Sequence, residues 1–335
     1  MTHFTATDEP KGPYRWVVLC GVWLIYFSFG LTVAALGPLV TPITDDLNMT
    51  FGEMGTVLGA WPLVYILAAL PCGFLIDRIG PRRGLLIAAL IMGLSGLLRS
   101  AADTHLTLFL AVAIFGLGGP LISIGAPKVI ALLFQGKNRG LAMGIYITGP
   151  GLGGVIAAST TNSVLLPFFD ENWRLVMCAY GFFTLFSGLL WLLLSQNAAG
   201  EIIKSAVSET TRDSIPKTFK RLATIPSVQL VLALSIGIFF INHGLNNWLP
   251  EIIRAHGLSA ASAGYWASIP TAVSVLSALL IPRYATPEKR IIILALLIFS
   301  SCVATLLLQI APGPVMLTGL VLQGIARGAM MTVAL

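Results

Sequence analysis

The chain has 335 residues, of which 56 % are hydrophobic and only 10 % charged. A water-soluble domain carries about 25 % charged residues, so this chain lacks the polar surface needed to face water all round. The formal net charge of +6 does not point to nucleic acid, because the basic residues fall in short connecting segments and not on one face, and the four cysteines (Cys20, Cys72, Cys178, Cys302) stand singly in apolar runs with no metal-site or disulfide spacing.

Apolar runs of about 20 residues recur, each long enough to cross a hydrocarbon core of roughly 30 Å. Lipid cannot satisfy backbone polar groups, so such runs must be helices. The expected fold is therefore all-α, a polytopic membrane protein. Residues 1–15 are polar, and the first apolar run continues to about Ile43, too long for the core of a cleaved signal peptide. The pattern predicts spans at 16–43, 51–76, 82–101, 105–134, 140–167, 174–196, 226–249, 260–282, 289–310 and 314–335. The one long connection is polar and basic, from Gln196 to Ile225, with Lys204, Arg212, Lys217, Lys220 and Arg221. It predicts an N-terminal six-span bundle over 16–196, a linker over 197–225 and a second bundle over 226–335.

Loop charges set orientation. With a cytoplasmic N-terminus, the inner loops hold Lys11, Arg15, Arg78, Arg82, Arg83, Lys137, Arg139, the five linker cations, Arg283, Lys289 and Arg290. The outer loops hold only Arg99, Arg174 and Arg254. This predicts a multi-pass protein of a bacterial inner membrane with its N-terminus in the cytoplasm.

Between spans two and three lies GFLIDRIGPRRG, Gly73 to Gly84. Gly73 and Gly80 permit close approach and a tight reversal. Arg78, Arg82 and Arg83 hold the loop inside, and Asp77 can pair with a cation or accept from a helix N-terminus. The motif and the loop that carries it resemble the signature of the major facilitator superfamily, and the resemblance covers the whole chain by topology. Ile281 to Arg290, at the equivalent loop of the second bundle, keeps the basic residues of that signature but not its glycine and aspartate. The resemblance implies two six-helix bundles, alternating access, and a cytoplasmic latch built on this loop, with Asp77 facing an eleventh helix. It also implies twelve spans. Ten are expected up to Leu335, so the second bundle is expected to be incomplete, either as a fragment or as a shortened member.

Ionisable groups within spans are costly, at least about 2.5 kcal/mol at the bilayer centre. Lys128, Arg327 and His243 are such groups, and no acid is well inside a span. By resemblance, spans one, four, seven and ten line a central cavity. Lys128, six residues before its helix end, could face that cavity or snorkel to the interface, and Arg327 could face it or serve helix packing. Two cations in the cavity, on spans four and ten and without an acidic partner, predict an anionic solute. On span seven His243 shares a face with Asn246 and Asn247, a cluster that could bind solute, relay a proton or simply join helices. Tyr26, Trp61, Tyr65, Tyr146 and Gln323 complete the candidate site, or serve as packing and interface anchors. Trp248-Leu-Pro250 and Gly257-Leu-Ser-Ala are similar to the end of span seven in cyanate and 2-nitroimidazole porters, and Pro127-Lys128 with Phe134 resembles nitrate- and cyanate-type carriers. Gly149, Pro150, Gly153 and Gly154 form GPGLGG, similar to the core of an antiporter signature and equally readable as small-residue packing.

The expected function is secondary transport of a small anion, with a proton as the coupling ion. Alternatives are a proton-coupled drug or metabolite exporter, and a non-transporting remnant. No catalytic constellation, metal spacing or nucleotide loop appears, so neither an enzyme nor a cofactor is expected. The expected partners are a small solute and the bilayer, with the protein a monomer.

Overall fold

The computed structural model describes residues 13–196, 224–286, 288–310 and 312–334. Residues 1–12 and the linker cations Lys204, Arg212, Lys217, Lys220 and Arg221 lie outside the described residues. Every described element is helical: α1 (Tyr14–Ala34), α2 (Val40–Asp46), α3 (Phe51–Ile79), α4 (Pro81–Ser100), α5 (His105–Leu133), α6 (Gly136–Thr160), the short α7 (Leu166–Phe168), α8 (Trp173–Leu194), α9 (Pro226–Ala255), α10 (Ala260–Leu280), α11 (Arg290–Leu307) and α12 (Pro314–Ala334). Among the described residues, eight helical segments are long and apolar enough to cross a membrane. Large apolar side chains such as Ile66, Leu67, Phe182, Phe299 and Leu306 point outward, as a lipid-facing surface requires.

Local chemistry explains where the helices depart from the expected bounds. The first span breaks after Ala34 into a 3-10 turn, Gly37–Leu39, at Pro38, which has no N–H to donate. The fifth span loosens into a π turn, Thr161–Leu165. The seventh was expected to stop at Leu249. Instead α9 runs through Pro250 to Ala255 and ends before Gly257, whose φ is +90°.

The chain divides into two compact units. The first comprises residues up to Thr32, Pro42–Gly153 and the segment from Asn172. In it α5 packs against α3 and α4, and α4 against α8. Small residues allow the backbones to meet, as is usual where lipid leaves no hydrophobic driving force between helices. A Cβ on Gly96 would lie 2.7 Å from Gly181 Cα, and one on Gly116 2.5 Å from the Trp61 carbonyl. The GPGLGG run works in the same way. A Cβ on Gly149 would lie 3.0 Å from the Trp23 carbonyl, one on Gly153 2.2 Å from the Phe27 carbonyl, and one on Gly30 of α1 2.1 Å from the Pro150 carbonyl.

The second unit comprises Val33–Thr41, Gly154–Glu171 and the chain from Thr211 onward. Here α12 packs against α10 and α11. Leu249, Ile253, Ala263, Ala267, Leu308, Met316 and Leu320 form one buried apolar cluster, and Leu297, Ala326, Ala329, Met330 and Val333 another. The Nε of Arg290, the first residue of α11, donates to the Val333 carbonyl at 2.6 Å. That carbonyl belongs to the last turn of α12, where no intrahelical donor exists.

Gly153→Ala is expected to destabilise the protein by about 1–3 kcal/mol through overpacking against α1. Gly59→Ala, where nothing lies within 4 Å of the added Cβ, is expected to be neutral. Thermal unfolding in detergent checks both, and equal midpoints for the two variants would remove the close crossing of α1 and α6.

Candidate functional site

In the first unit the motif Gly73 to Gly84 forms a tight joint. Gly80 closes α3 by donating to the Ile76 carbonyl and opens α4, at φ +82°, a conformation that favours glycine. Pro81 follows at the first helical position. Arg82 Nε donates to Ser195 Oγ at 2.8 Å, and Trp191 Nε1 donates to the Arg82 carbonyl at 3.0 Å, so the joint is tied to the end of α8. Arg78 and Arg83 are exposed, and Gly73 faces Ile124 of α5.

Asp77 pairs with Lys128 of α5. The sequence analysis expected Lys128 to have no acidic partner; the structure supplies one, 51 residues away in the chain. Both side chains are more than two-fifths exposed, so the pair contributes little stability.

Arg99 was assigned to an outer loop, and it is instead buried, 1 % exposed, in the last turn of α4. Its Nη1 donates to the Thr32 carbonyl at 3.2 Å and its guanidinium lies over the Phe115 ring. Thr32 is in the final turn of α1, so Arg99 satisfies one of that helix's orphan carbonyls. The predicted tyrosines join an aromatic group in this unit. Tyr26 stacks on Tyr146 with centroids 5.5 Å apart, and Tyr65 meets Trp61 edge-on at 6.1 Å.

The second unit holds Arg327, near the middle of α12 and partly buried. Its Nη1 donates to Asn246 Oδ1 of α9 at 2.5 Å and to Thr271 Oγ1 of α10 at 3.0 Å. Among the described residues its Nε and Nη2 make no hydrogen bond and no carboxylate lies within ion-pair distance. Arg327 can only donate, so both partners meet it with an oxygen. The Asn246 amide hydrogens and the Thr271 hydroxyl hydrogen are thus directed elsewhere. His243 lies one turn back from Asn246 on the same face of α9.

Asn246, Asn247 and Thr271 line a small, partly open cleft together with Gly154, Ala158 and Ala267, and Arg327 stands behind it, bonded to Asn246 and Thr271. Gly154 belongs to the GPGLGG run, and a Cβ there would meet Thr271 Cγ2 at 3.3 Å. Arg327, His243 and Asn247 are therefore gathered in the second unit, whereas Lys128, Tyr26, Tyr65 and Tyr146 belong to the first. Sequence reasoning missed Thr271, which carries no periodic or motif signal beyond following Pro270. It also missed Asn162, whose Nδ2 donates to the Pro38 carbonyl at 2.9 Å. The π turn that holds Asn162 has no sequence signature.

In a double-mutant cycle, Asp77→Asn and Lys128→Gln are expected to couple by only about 0.2–1 kcal/mol in unfolding stability. A coupling of several kcal/mol would contradict the exposure of the pair.

The comparisons with known proteins agree with this architecture. The 4-hydroxybenzoate transporter PcaK of Pseudomonas aeruginosa is 26 % identical over 97 % of this chain and 80 % of its own length. The probable L-galactonate transporter of Escherichia coli is 27 % identical over 68 % of this chain and 52 % of its own length. The chain thus spans from about half to four fifths of these curated relatives. A bacterial homolog of the human lysosomal transporter Spinster, solved inward-facing and unoccupied, superposes with a TM-score of 0.74 at 19 % identity, over 97 % of this chain and 75 % of that one. The Major Facilitator Superfamily model matches residues 22–335, which is nearly the whole chain, and this multi-pass helical membrane protein belongs to that superfamily.

Proposed function

We propose that this chain is the solute-binding part of a secondary active transporter that moves a small organic anion by alternating access. The observation that carries the reading is the free edge of Arg327. An arginine inside a span is tolerated where its donors are used. Here Nη1 is held by two neutral oxygens, while Nε and Nη2 present the parallel pair of N–H groups that a carboxylate fits bidentately. No protein acid competes for them among the described residues. The amide hydrogens of Asn246 and the hydroxyl of Thr271, both residues of the cleft lining, add neutral donors next to Arg327. Donors without a matching acid make a site for an anion.

The relatives support this choice. 4-Hydroxybenzoate and L-galactonate, named for two of them, are both carboxylates. Lys128, paired with Asp77, is assigned to the joint between α3 and α5 and not to the solute. The close packing of Gly149 and Gly153 on α1 accounts for GPGLGG without an exporter role. We assign proton coupling to His243, an imidazole that shares a face of α9 with Asn246. The loop charges and the bacterial relatives favour the inner membrane, with the N-terminus cytoplasmic and the protein a monomer.

Equilibrium binding of radiolabelled 4-hydroxybenzoate and L-galactonate to the purified chain tests the reading. Arg327→Lys keeps the charge but loses the fork, and Arg327→Gln loses both. Losing a charged hydrogen bond costs about 1.5–3 kcal/mol, so binding is expected to weaken about 10- to 150-fold, more for Gln than for Lys, while Lys128→Gln stays within about threefold. Unchanged anion binding by folded Arg327→Gln would sink the proposal.

A further inference from the structure

Gln323 precedes Arg327 by four residues on α12, so the two share a helix face with Cβ atoms about 5–6 Å apart. Gln323 is 3 % exposed, and its Oε1 has no hydrogen-bond partner among the described residues. Buried side-chain oxygens in native proteins are rarely left this way, because the lost hydration is not returned. The donors nearest along α12 are Nε and Nη2 of Arg327, and neither bonds Oε1. On one side Leu320 and Met316 belong to the apolar cluster that includes Ala267, which also lines the cleft. Beside it, Gly324 packs so closely on α10 that a Cβ would lie 2.6 Å from the Pro270 carbonyl, and a carbonyl cannot donate. On the remaining side stands Arg327, whose Nη1 is already held. The face therefore carries an anion-binding fork and, one turn away, an acceptor with no donor.

We propose that Gln323 is a specificity-determining residue of the Arg327 site: its amide oxygen accepts a hydrogen bond from a hydroxyl of the bound anion. The solute is then a hydroxy acid whose hydroxyl stands about one helical turn from its carboxylate. This rests on the reading of Arg327 given above. The discrimination follows from the unpaired acceptor. Oε1 is already buried without a donor when no solute is bound, so a hydroxylated acid gains a hydrogen bond there that its unhydroxylated analogue cannot make.

The test uses benzoate, 3-hydroxybenzoate and 4-hydroxybenzoate as probes, with dissociation constants measured on the purified full chain by equilibrium dialysis. The wild-type protein is expected to bind its preferred hydroxybenzoate about tenfold more tightly than benzoate. Gln323→Met, similar in length and without the amide, is expected to bring that ratio to about one and leave benzoate binding within about threefold. Gln323→Asn draws the amide back by one methylene and is expected to lower the ratio too, so whichever variant folds decides the matter. The wild-type series needs no variant at all. Equal binding of the three acids by wild type, or a ratio that survives in a folded Gln323 variant, would overturn the assignment. Failure of the Arg327 reading looks different: folded Arg327→Gln would then bind all three acids, benzoate included, as wild type does.

Discussion

A cation on a membrane-spanning helix needs oxygen or a π face, and three cations of this chain, two largely covered and Lys128 still part-exposed, find one in three ways. Lys128 takes a carboxylate, Asp77. Arg99 takes a main-chain carbonyl left over at the end of α1 and the face of Phe115. Arg327 takes two neutral side-chain oxygens on one nitrogen and keeps its other edge. The first two arrangements consume the charge in building the first unit. The third holds the charge in place without neutralising it, and is the arrangement that suits a ligand.

Holding Arg327 there depends on how closely the helices approach. A Cβ on Gly328 would lie 2.0 Å from the Ser274 carbonyl, and one on Gly324 2.6 Å from that of Pro270. With larger residues α10 would stand off from α12, and the Thr271 hydroxyl could not reach the guanidinium at 3.0 Å. Lipid offers helices no hydrophobic reason to associate, so contact of this kind comes from small residues and dispersion. The glycines of α12 thus help to hold Arg327 in place, although they make no bond to it. The aromatic group of the first unit depends on the same device, since a Cβ on Gly119 would lie 2.5 Å from the Tyr65 ring.

Most of the fold was legible because lipid permits few alternatives. Apolar runs must be helices, and prolines and glycines mark their joints, as Gly80-Pro81 does between α3 and α4. Single residues near helix ends were less legible. Arg99 was read as a loop residue because it lies one residue from the end of its helix, where pattern alone cannot separate a buried cap from an exposed charge. Pro250 was read as a stop, yet α9 continues through it. Of the candidate site, the cation on the tenth span stood out by its cost in lipid. Thr271, an ordinary residue in a span, did not. Asn246 stood out beside His243, but its bond to Arg327 did not, because it reaches across 81 residues of chain. The Asp77–Lys128 pair was hidden for the same reason.

The neutrality of the partners of Arg327 carries a further consequence. Had Thr271 been an aspartate, the guanidinium would be satisfied from within, and a solute would have to displace a full ion pair to bind. An amide and a hydroxyl fix the plane of the fork and leave its charge uncompensated, so in the proposed function an incoming carboxylate would supply the missing half of the pair. A carrier must also release what it binds, and a single bidentate contact worth a few kcal/mol gives an affinity that can be reversed. Tight internal compensation and an irreversible grip would both stop transport, and a positive group held by oxygens that carry no charge avoids each of them.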